Sequence, residues 1–225
     1  MTIKYESVVP WGRSYAEYVS MFALSKSDLN KSILGCGDGP ASFNCFMNKK
    51  GKKVISVDII YQFSAVEIEQ RINETFDIVI NQTRNNLEKF TWSKIKNVDE
   101  LGRIRISAMK EFLNDYEMGK LDKRYVFAEL PVLPFNNNSF ELALSSHFLF
   151  LHSDNLSLDF HLQSLVEMLR VAKEVRIFPL LDFNANESPY VDAIMNLLSQ
   201  KGYSVKQVKV NYEFQKGGNI MLVIK

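Results

Sequence analysis

The sequence is short of several features that would each indicate a class of protein. Its only cysteines, Cys36 and Cys45, supply neither a disulfide framework nor a metal-binding cluster, so we predict no metal site. No stretch approaches the roughly 18 apolar residues of a transmembrane helix, which argues against a membrane protein. Lys4, Glu6 and Arg13 stand where a signal peptide would be apolar, and we therefore expect a cytoplasmic protein.

The chain also lacks an excess of charge of either sign. Its 27 Lys and Arg residues face 26 Asp and Glu residues, for a net charge of +1. Such a balance gives no basic surface for nucleic acid or for an anionic membrane, and neither is expected as a partner. Hydrophobic residues, in contrast, make up 46% of the 225 residues, enough for a substantial core. We predict one compact domain over 1–225, with the oligomeric state left open.

A glycine-rich segment follows the first β-favouring residues. Residues 33–40 read Ile-Leu-Gly-Cys-Gly-Asp-Gly-Pro, and the apolar run 54–57 ends at Asp58. Alternate glycines let a chain turn tightly and bring its backbone against a ligand. An acid at the tip of the second strand is where a nucleotide-binding α/β fold needs an acceptor for the ribose hydroxyls. The pattern predicts a strand, glycine turn, helix and strand that bind a nucleotide.

The spacing of these glycines bears on which nucleotide is bound. Nicotinamide enzymes usually show Gly-x-Gly-x-x-Gly, whereas this loop reads Gly-x-Gly-x-Gly, with Pro40 and Ala41 where a third spaced glycine would fall. The pattern therefore favours an adenosyl ligand over a dinucleotide. A glycine-rich surface turn beside an unrelated aspartate is the alternative without a ligand.

Hydrophobic periodicity predicts alternating helices and strands along the rest of the chain. Helices are expected near 14–25, 40–49, 160–172 and 190–200, and strands near 32–34, 53–57, 125–128, 140–145, 175–181, 205–210 and 219–224. The gap before the third strand is far longer than a crossover needs, and its apolar residues recur at helical spacing. We predict two or three extra helices at 65–120, placed to cap the ligand site.

Four segments together resemble the class I S-adenosylmethionine-dependent methyltransferases. They are the glycine loop, Asp58, the stretch 129–135 (Glu-Leu-Pro-Val-Leu-Pro-Phe) and the stretch 139–147. The resemblance implies an α/β, Rossmann-like three-layer αβα sandwich. Its seven-stranded, mostly parallel sheet would have the order 3-2-1-4-5-7-6, with an antiparallel terminal hairpin and a helical insertion after strand 2. It also implies S-adenosyl-L-methionine as cofactor and S-adenosyl-L-homocysteine as product.

The resemblance also assigns cofactor contacts, with Glu129 at the adenine amino group. The full set of expected contacts is Arg13, Gly35, Cys36, Gly37, Asp58, Ile59, Glu129, Leu130, Ser145 and Ser146. One departure concerns the acid that the family usually places two positions before the first glycine, where this chain has Ile33. Arg13 and Tyr15 could instead reach the methionine carboxylate, since arginine forms forked bonds to carboxylates. Arg13 could equally be a solvated residue near the chain start.

Two histidines follow the fourth strand, where the resemblance places the active site. His147 is the candidate base and His152 the second choice, because histidine accepts a proton near neutral pH. Either ring could instead only hydrogen-bond to loop backbone. Displacement at a sulfonium methyl group depends mainly on alignment, so a base is required only where the acceptor must lose a proton.

Three functions stay open on these observations. The leading one is a methyltransferase acting on a small-molecule acceptor of unknown identity. The second is a catalytically inactive cofactor-binding protein or partner subunit of the same fold, which Ile33 keeps open. The third is a nicotinamide-dependent oxidoreductase, which the glycine spacing disfavours.

Overall fold

A seven-stranded sheet forms the centre of the computed structural model, which describes residues 9–225. The strands are β1 (Ile33–Cys36), β2 (Val54–Asp58), β3 (Tyr125–Phe127), β4 (Leu142–Ser146), β5 (Val175–Phe178), β6 (Val205–Lys209) and β7 (Ile220–Ile224). Their order is 3-2-1-4-5-7-6. Strands β1 to β5 are parallel, whereas β7 pairs antiparallel with both β5 and β6. The predicted strand order and terminal hairpin are confirmed.

Six α-helices accompany the strands over the described residues. They are α1 (Tyr15–Met21), α2 (Phe43–Lys49), α3 (Ala65–Arg84), α4 (Val98–Leu121), α5 (Leu158–Val171) and α6 (Val191–Gln200). Buried side chains form two hydrophobic clusters that share the strands of the sheet. Consecutive residues of a strand point to opposite faces, so Leu34 and Ala143 belong to one cluster, and Ile33 and Leu142 to the other. Strands buried on both faces explain the continuous apolar runs in the sequence.

Some element boundaries differ from the prediction for local reasons. Helix α2 begins at Phe43 and not at Pro40, because the left-handed Gly39 (φ +53°) keeps the chain in a turn. Strand β5 ends at Phe178, where Pro179 removes the next backbone N–H donor. The predicted stop of α2 is confirmed, since Gly51 adopts the left-handed conformation (φ +67°) just after it.

The insertion between β2 and β3 contains two α-helices, α3 and α4, joined through a short 3-10 turn at Leu87–Lys89. Each begins at a side-chain cap: Ser64 accepts from the Glu67 N–H, and Asn97 accepts from the Glu100 N–H. Residues of both helices pack with Tyr61 and Tyr125 in a third cluster. Helix α4 is thus part of the insertion and also the crossover helix that leads to β3.

Hydrogen bonds attach the turn of the insertion to the loop between β6 and β7. The Thr91 N–H donates to the Phe214 carbonyl at 2.7 Å, and the Lys216 N–H donates to the Lys89 carbonyl at 2.9 Å. These bonds hold two segments that are distant in sequence side by side at the carboxyl edge of the sheet. No helix within residues 9–225 has the length and apolar character needed to cross a bilayer.

A buried ion pair joins the insertion to the segment before β1. Arg105 of α4 donates two hydrogen bonds to Glu17 of α1, at 2.6 and 2.7 Å, and Tyr212 donates a third at 2.9 Å. Arg105 is fully buried, and the pKa of Glu17 is held far below its usual range: burial alone would raise it, but the charge and hydrogen bonds of Arg105 outweigh burial. The network fixes α1, α4 and the Tyr212 loop together around the cavity described next.

Candidate functional site

A cavity of about 520 Å³ opens at the carboxyl edge of the sheet. Loops after β1, β2, β3 and β4 supply one part of its lining, and the segment before α1, the insertion and the β6–β7 loop supply the rest. Open α/β sheets bind ligands at this edge. Of the predicted cofactor contacts, those that line the cavity are Arg13, Gly37, Asp58, Ile59, Glu129, Leu130 and Ser146. The candidate bases His147 and His152 line it too.

The glycine loop reaches the cavity through Gly37 and Gly39, which both have positive φ angles (+66° and +53°). A Cβ on Gly37 would lie 2.8 Å from Cγ of Phe148, so a side chain there would be both strained and obstructed. At these two positions the loop therefore presents bare backbone to the cavity.

Three other predicted contacts, Gly35, Cys36 and Ser145, do not line the cavity. Cys36 and Ser145 lie within the buried strands β1 and β4, and each has no exposed surface. Glycine is required at position 35 for a reason other than ligand contact, because a Cβ there would overlap the Asp38 carboxyl group. A role for these three residues in cofactor binding stays a prediction.

Asp58 holds the glycine loop and the turn after β2 at the same time. Its Oδ2 accepts the Gly39 N–H at 2.7 Å, and its Oδ1 accepts the Ile60 N–H at 2.9 Å. Burial raises the pKa of Asp58, and these two backbone bonds oppose the rise. Since a carboxylate offers about four lone-pair positions, each oxygen can accept one further hydrogen bond from a ligand hydroxyl.

Asp38 is a cavity residue that the sequence analysis missed. Its carboxyl group is buried above Gly35 and accepts hydrogen bonds from Tyr18 Oη (2.8 Å) and Ser56 Oγ (2.6 Å). Burial raises its pKa to about 6, the nearby Asp58 adds to the rise, and the two hydroxyl bonds oppose it. The loop thus carries a buried carboxyl group at Asp38, whereas Ile33 stands two positions before the first glycine. An aspartate between two glycines was the available signal.

Arg13 is a half-buried cation at the cavity, and Glu17 is the acid whose charge acts on it. Its Nη1 donates to the Trp11 carbonyl at 2.8 Å, and its buried Nε has no hydrogen-bond partner among the described residues. Burial lowers its pKa to about 10, and the positive charge of Arg105 contributes to the shift. No carboxylate of residues 9–225 forms an ion pair with it. Tyr15, the other residue considered for this role, stacks instead on Phe43 and Phe46 and does not line the cavity.

His147 lies directly after β4 in a left-handed conformation (φ +54°). Its backbone N–H donates to the Phe178 carbonyl at 2.6 Å, and its ring Nδ1 lies 2.9 Å from Ser146 Oγ. Burial holds its pKa well below the usual range, with a further contribution from the charge of Arg13. The ring is therefore neutral near pH 7, as a proton acceptor must be.

His152 belongs to the short 3-10 turn Phe150–His152, and its ring packs edge-on against Phe183 with the ring centres 4.8 Å apart. Burial lowers its pKa to about 4, and His161 adds to the shift. Further residues that the sequence analysis did not place at the site are Tyr18, Thr83, Phe148, Asn155, Phe160, Phe183, Phe214 and Gln215. Most of them come from loops whose meeting depends on the tertiary fold.

Comparison with known proteins identifies a relative along nearly the whole chain. The uncharacterized protein MJ0045 of Methanocaldococcus jannaschii is 35% identical over 215 residues, which are 95% of this chain and 94% of that protein. The chain belongs to the MJ0045 family. No established family model matches the sequence.

Solved structures similar to this MJ0045-family chain share little sequence with it. A methyltransferase dependent on S-adenosylmethionine from Aquifex aeolicus is 15% identical, with a TM-score of 0.44 over 93% of this chain and 87% of that one. Magnesium protoporphyrin IX methyltransferase from Synechocystis, solved with bound S-adenosylmethionine, is 9% identical, with a TM-score of 0.48 over 93% and 76%. The sheet of this chain itself has the strand order that the resemblance to class I methyltransferases implied.

Proposed function

We propose that this protein binds S-adenosylmethionine and transfers its methyl group to a small-molecule acceptor. The observation that carries the proposal is one cavity that contains a cation with an unpartnered Nε, a buried acid and a strand-end acid: Arg13, Asp38 and Asp58. The ligand would offer a carboxylate, an ammonium group and a ribose diol, which are the chemical complements of these three side chains.

The polar groups of the cavity fit such a ligand one by one. The free Nε of Arg13 is a buried donor that needs an acceptor, and a carboxylate would supply both the hydrogen bond and a direct ion pair. Asp38 is a buried acid that an ammonium group would stabilise in its charged form. Asp58 retains an acceptor position on each oxygen for the ribose hydroxyls.

The adenine end of the ligand is assigned to the loop after β3. Glu129 is exposed and lines the cavity beside Leu130, and Ile59 lines it from the turn after β2. A carboxylate that accepts from an amino group, with aliphatic side chains beside it, suits a flat purine ring. This assignment follows the resemblance and gives Glu129 the role that the sequence predicted for it.

When bound, S-adenosylmethionine supplies a methyl carbon on a positively charged sulfur: the acceptor heteroatom bonds to that carbon, the carbon–sulfur bond breaks, and sulfur keeps the electron pair. His147 takes the proton that the acceptor releases. With Nδ1–H donating to Ser146 Oγ, its Nε2 carries the lone pair that accepts this proton. Its depressed pKa keeps the ring neutral but makes it a weak base, so positioning supplies most of the rate. His152 remains the second choice.

Calorimetric titration tests the proposal directly. We expect S-adenosylmethionine and S-adenosylhomocysteine to bind and oxidised nicotinamide adenine dinucleotide not to bind. Arg13→Met should weaken cofactor binding by about 10-fold or more, because a charge-assisted hydrogen bond contributes roughly 1.5–3 kcal/mol. The exposed Arg103 of the neighbouring insertion offers the matched control Arg103→Met, which should leave affinity unchanged. If neither S-adenosylmethionine nor S-adenosylhomocysteine binds, the proposal is overturned.

The non-catalytic alternative rested on Ile33, which leaves the usual acid position without a carboxylate. Asp38 provides a carboxyl group at the same loop, which supports an intact cofactor site. Methyl transfer from radiolabelled cofactor to a metabolite pool separates the two functions, because an inactive partner subunit would bind cofactor and label nothing. A cytoplasmic location and the absence of a nucleic-acid partner stay predictions from the sequence.

A further inference from the structure

We propose that the methyl acceptor is an uncharged, planar aromatic molecule that carries an O–H or N–H group. This inference rests on the proposed function and names the substrate class of the same site. It concerns the part of the cavity that is not assigned to the cofactor, here called the acceptor end. Its residues are Thr83, Phe90, Phe148, His152, Asn155, Phe160, Phe183, Phe214 and Gln215.

The acceptor end is lined mainly by aromatic rings. Phe90 of the insertion and Phe214 of the β6–β7 loop stack with ring centres 5.0 Å apart, and Trp92 packs edge-on against Phe214 behind them. Phe148 meets Phe160 edge-on at 6.4 Å. Aromatic pairs gain about 0.5–1.5 kcal/mol beyond their buried area, so such a lining favours a flat aromatic ligand over an aliphatic one of equal size.

The aromatic lining is held in place before any ligand arrives. The backbone bond from the Thr91 N–H to the Phe214 carbonyl lies directly beside the Phe90–Phe214 stack. Gln215 donates through Nε2 to the Asp182 carbonyl at 2.6 Å, and this contact ties the β6–β7 loop to the segment that carries Phe183. Binding an aromatic ring between fixed side chains costs less ordering entropy than binding into a mobile loop.

The acceptor end carries no charged side chain among the described lining residues. The charged residues that line the cavity are Arg13, Asp38, Asp58 and Glu129, and all four are assigned to the cofactor. His152 has a pKa of about 4 and is neutral near pH 7. A charged acceptor would therefore leave water without gaining a partner, which is costly. The neutral groups of Asn155, Thr83 and Gln215 suit a single hydroxyl or N–H group.

The experiment compares three ligands that differ in one property each. 2-Naphthol is aromatic and neutral, 2-naphthoate has the same rings with a carboxylate, and decahydro-2-naphthol has the same hydroxyl without aromaticity. Each is titrated into the full-length protein saturated with S-adenosylhomocysteine. We expect 2-naphthol to bind about 10-fold more tightly than either analogue, as the aromatic contacts and the cost of an unpaired charge imply.

A pair of variants assigns the binding to the acceptor end. Phe214→Leu keeps an apolar side chain but removes the ring, and it should weaken 2-naphthol binding by about 5-fold with unchanged affinity for S-adenosylhomocysteine. Phe183→Leu is a second, independent variant, which removes another ring of the acceptor end. The control Phe46→Leu alters a ring that is 37% exposed on α2, outside the cavity, and should change neither affinity.

The outcomes separate this inference from the proposed function. If S-adenosylhomocysteine binds but 2-naphthol does not, or if either analogue binds as tightly as 2-naphthol, the proposal of an uncharged aromatic acceptor is overturned and the cofactor assignment stands. If S-adenosylhomocysteine itself fails to bind, the proposed function fails first.

Discussion

Replacing Asp38 by asparagine should stabilise the ligand-free protein and weaken cofactor binding at the same time. The side chain is 7% exposed, and Tyr18 and Ser56 donate to its two oxygens. A carboxyl group with a pKa raised to about 6 from an ordinary value of 3.8 binds its proton more tightly in the folded than in the unfolded chain. Above pH 6 the folded protein therefore carries a charge that destabilises it.

The magnitude follows from the size of the shift. About two pKa units at 1.36 kcal/mol each amount to roughly 3 kcal/mol at neutral pH. Asparagine removes this cost but places an amide NH2 group opposite Ser56, which cannot accept the Ser56 O–H, so one bond worth about 1 kcal/mol is lost. The net gain is about 2 kcal/mol, or roughly 4–8 °C in Tm for a chain of this length. Loss of the charged partner for the ammonium group should weaken cofactor binding by about 10- to 100-fold.

Thermal unfolding of the ligand-free protein and calorimetry with S-adenosylhomocysteine measure both effects. The Tm advantage of the variant should shrink as the pH falls below 6, because the wild-type carboxyl group then takes up its proton and loses the same charge. The control Asp115→Asn removes a carboxylate that accepts two bonds from Arg124, at 2.6 and 2.9 Å, and should lower Tm with little effect on binding. An Asp38→Asn variant with unchanged Tm and unchanged affinity would refute the reasoning.

The sequence predicted those parts of the fold that depend on local pattern. The apolar runs of β1, β2 and β4 are visible in the sequence as hydrophobic patterns. The end of α2 before Gly51 follows from the conformational preference of that one residue. The strand order came from the resemblance and not from periodicity. The position of Asp58 at the cavity could be predicted because the end of a strand lies at the ligand-binding edge of this type of sheet, whatever surrounds it.

The parts that were missed depend on contacts between segments far apart in the chain. Asp38 becomes a buried acid only because Tyr18 of α1 and Ser56 of β2 meet above Gly35, and no spacing in the loop records that meeting. The same limit applies to Cys36, which lies at the end of β1 without exposed surface, while residues 37–40 line the cavity; the sequence alone did not fix where along this segment the lining begins.

Three further substitutions test separate parts of the structure. Gly37→Ala should abolish measurable cofactor binding, because its Cβ would lie 2.8 Å from Phe148 at a φ of +66°; calorimetry with a folded variant that still binds tightly would contradict this. Arg105→Met should leave Glu17 buried without its partner, at a cost of about 3–5 kcal/mol, and lower Tm by roughly 6–20 °C at pH 7. Because the pKa of Glu17 is depressed in the wild type, the stability it contributes is present at neutral pH and is lost as the pH falls through that low value. His147→Asn should slow methyl transfer by about 10²-fold or more where the acceptor must lose a proton, with cofactor affinity nearly unchanged. Asparagine is the suitable replacement because it tolerates the left-handed conformation at this position, so a loss of rate would not reflect backbone strain. Full activity of this variant would remove His147 as the base, and the parallel variant His152→Asn would then decide whether the second histidine takes the proton.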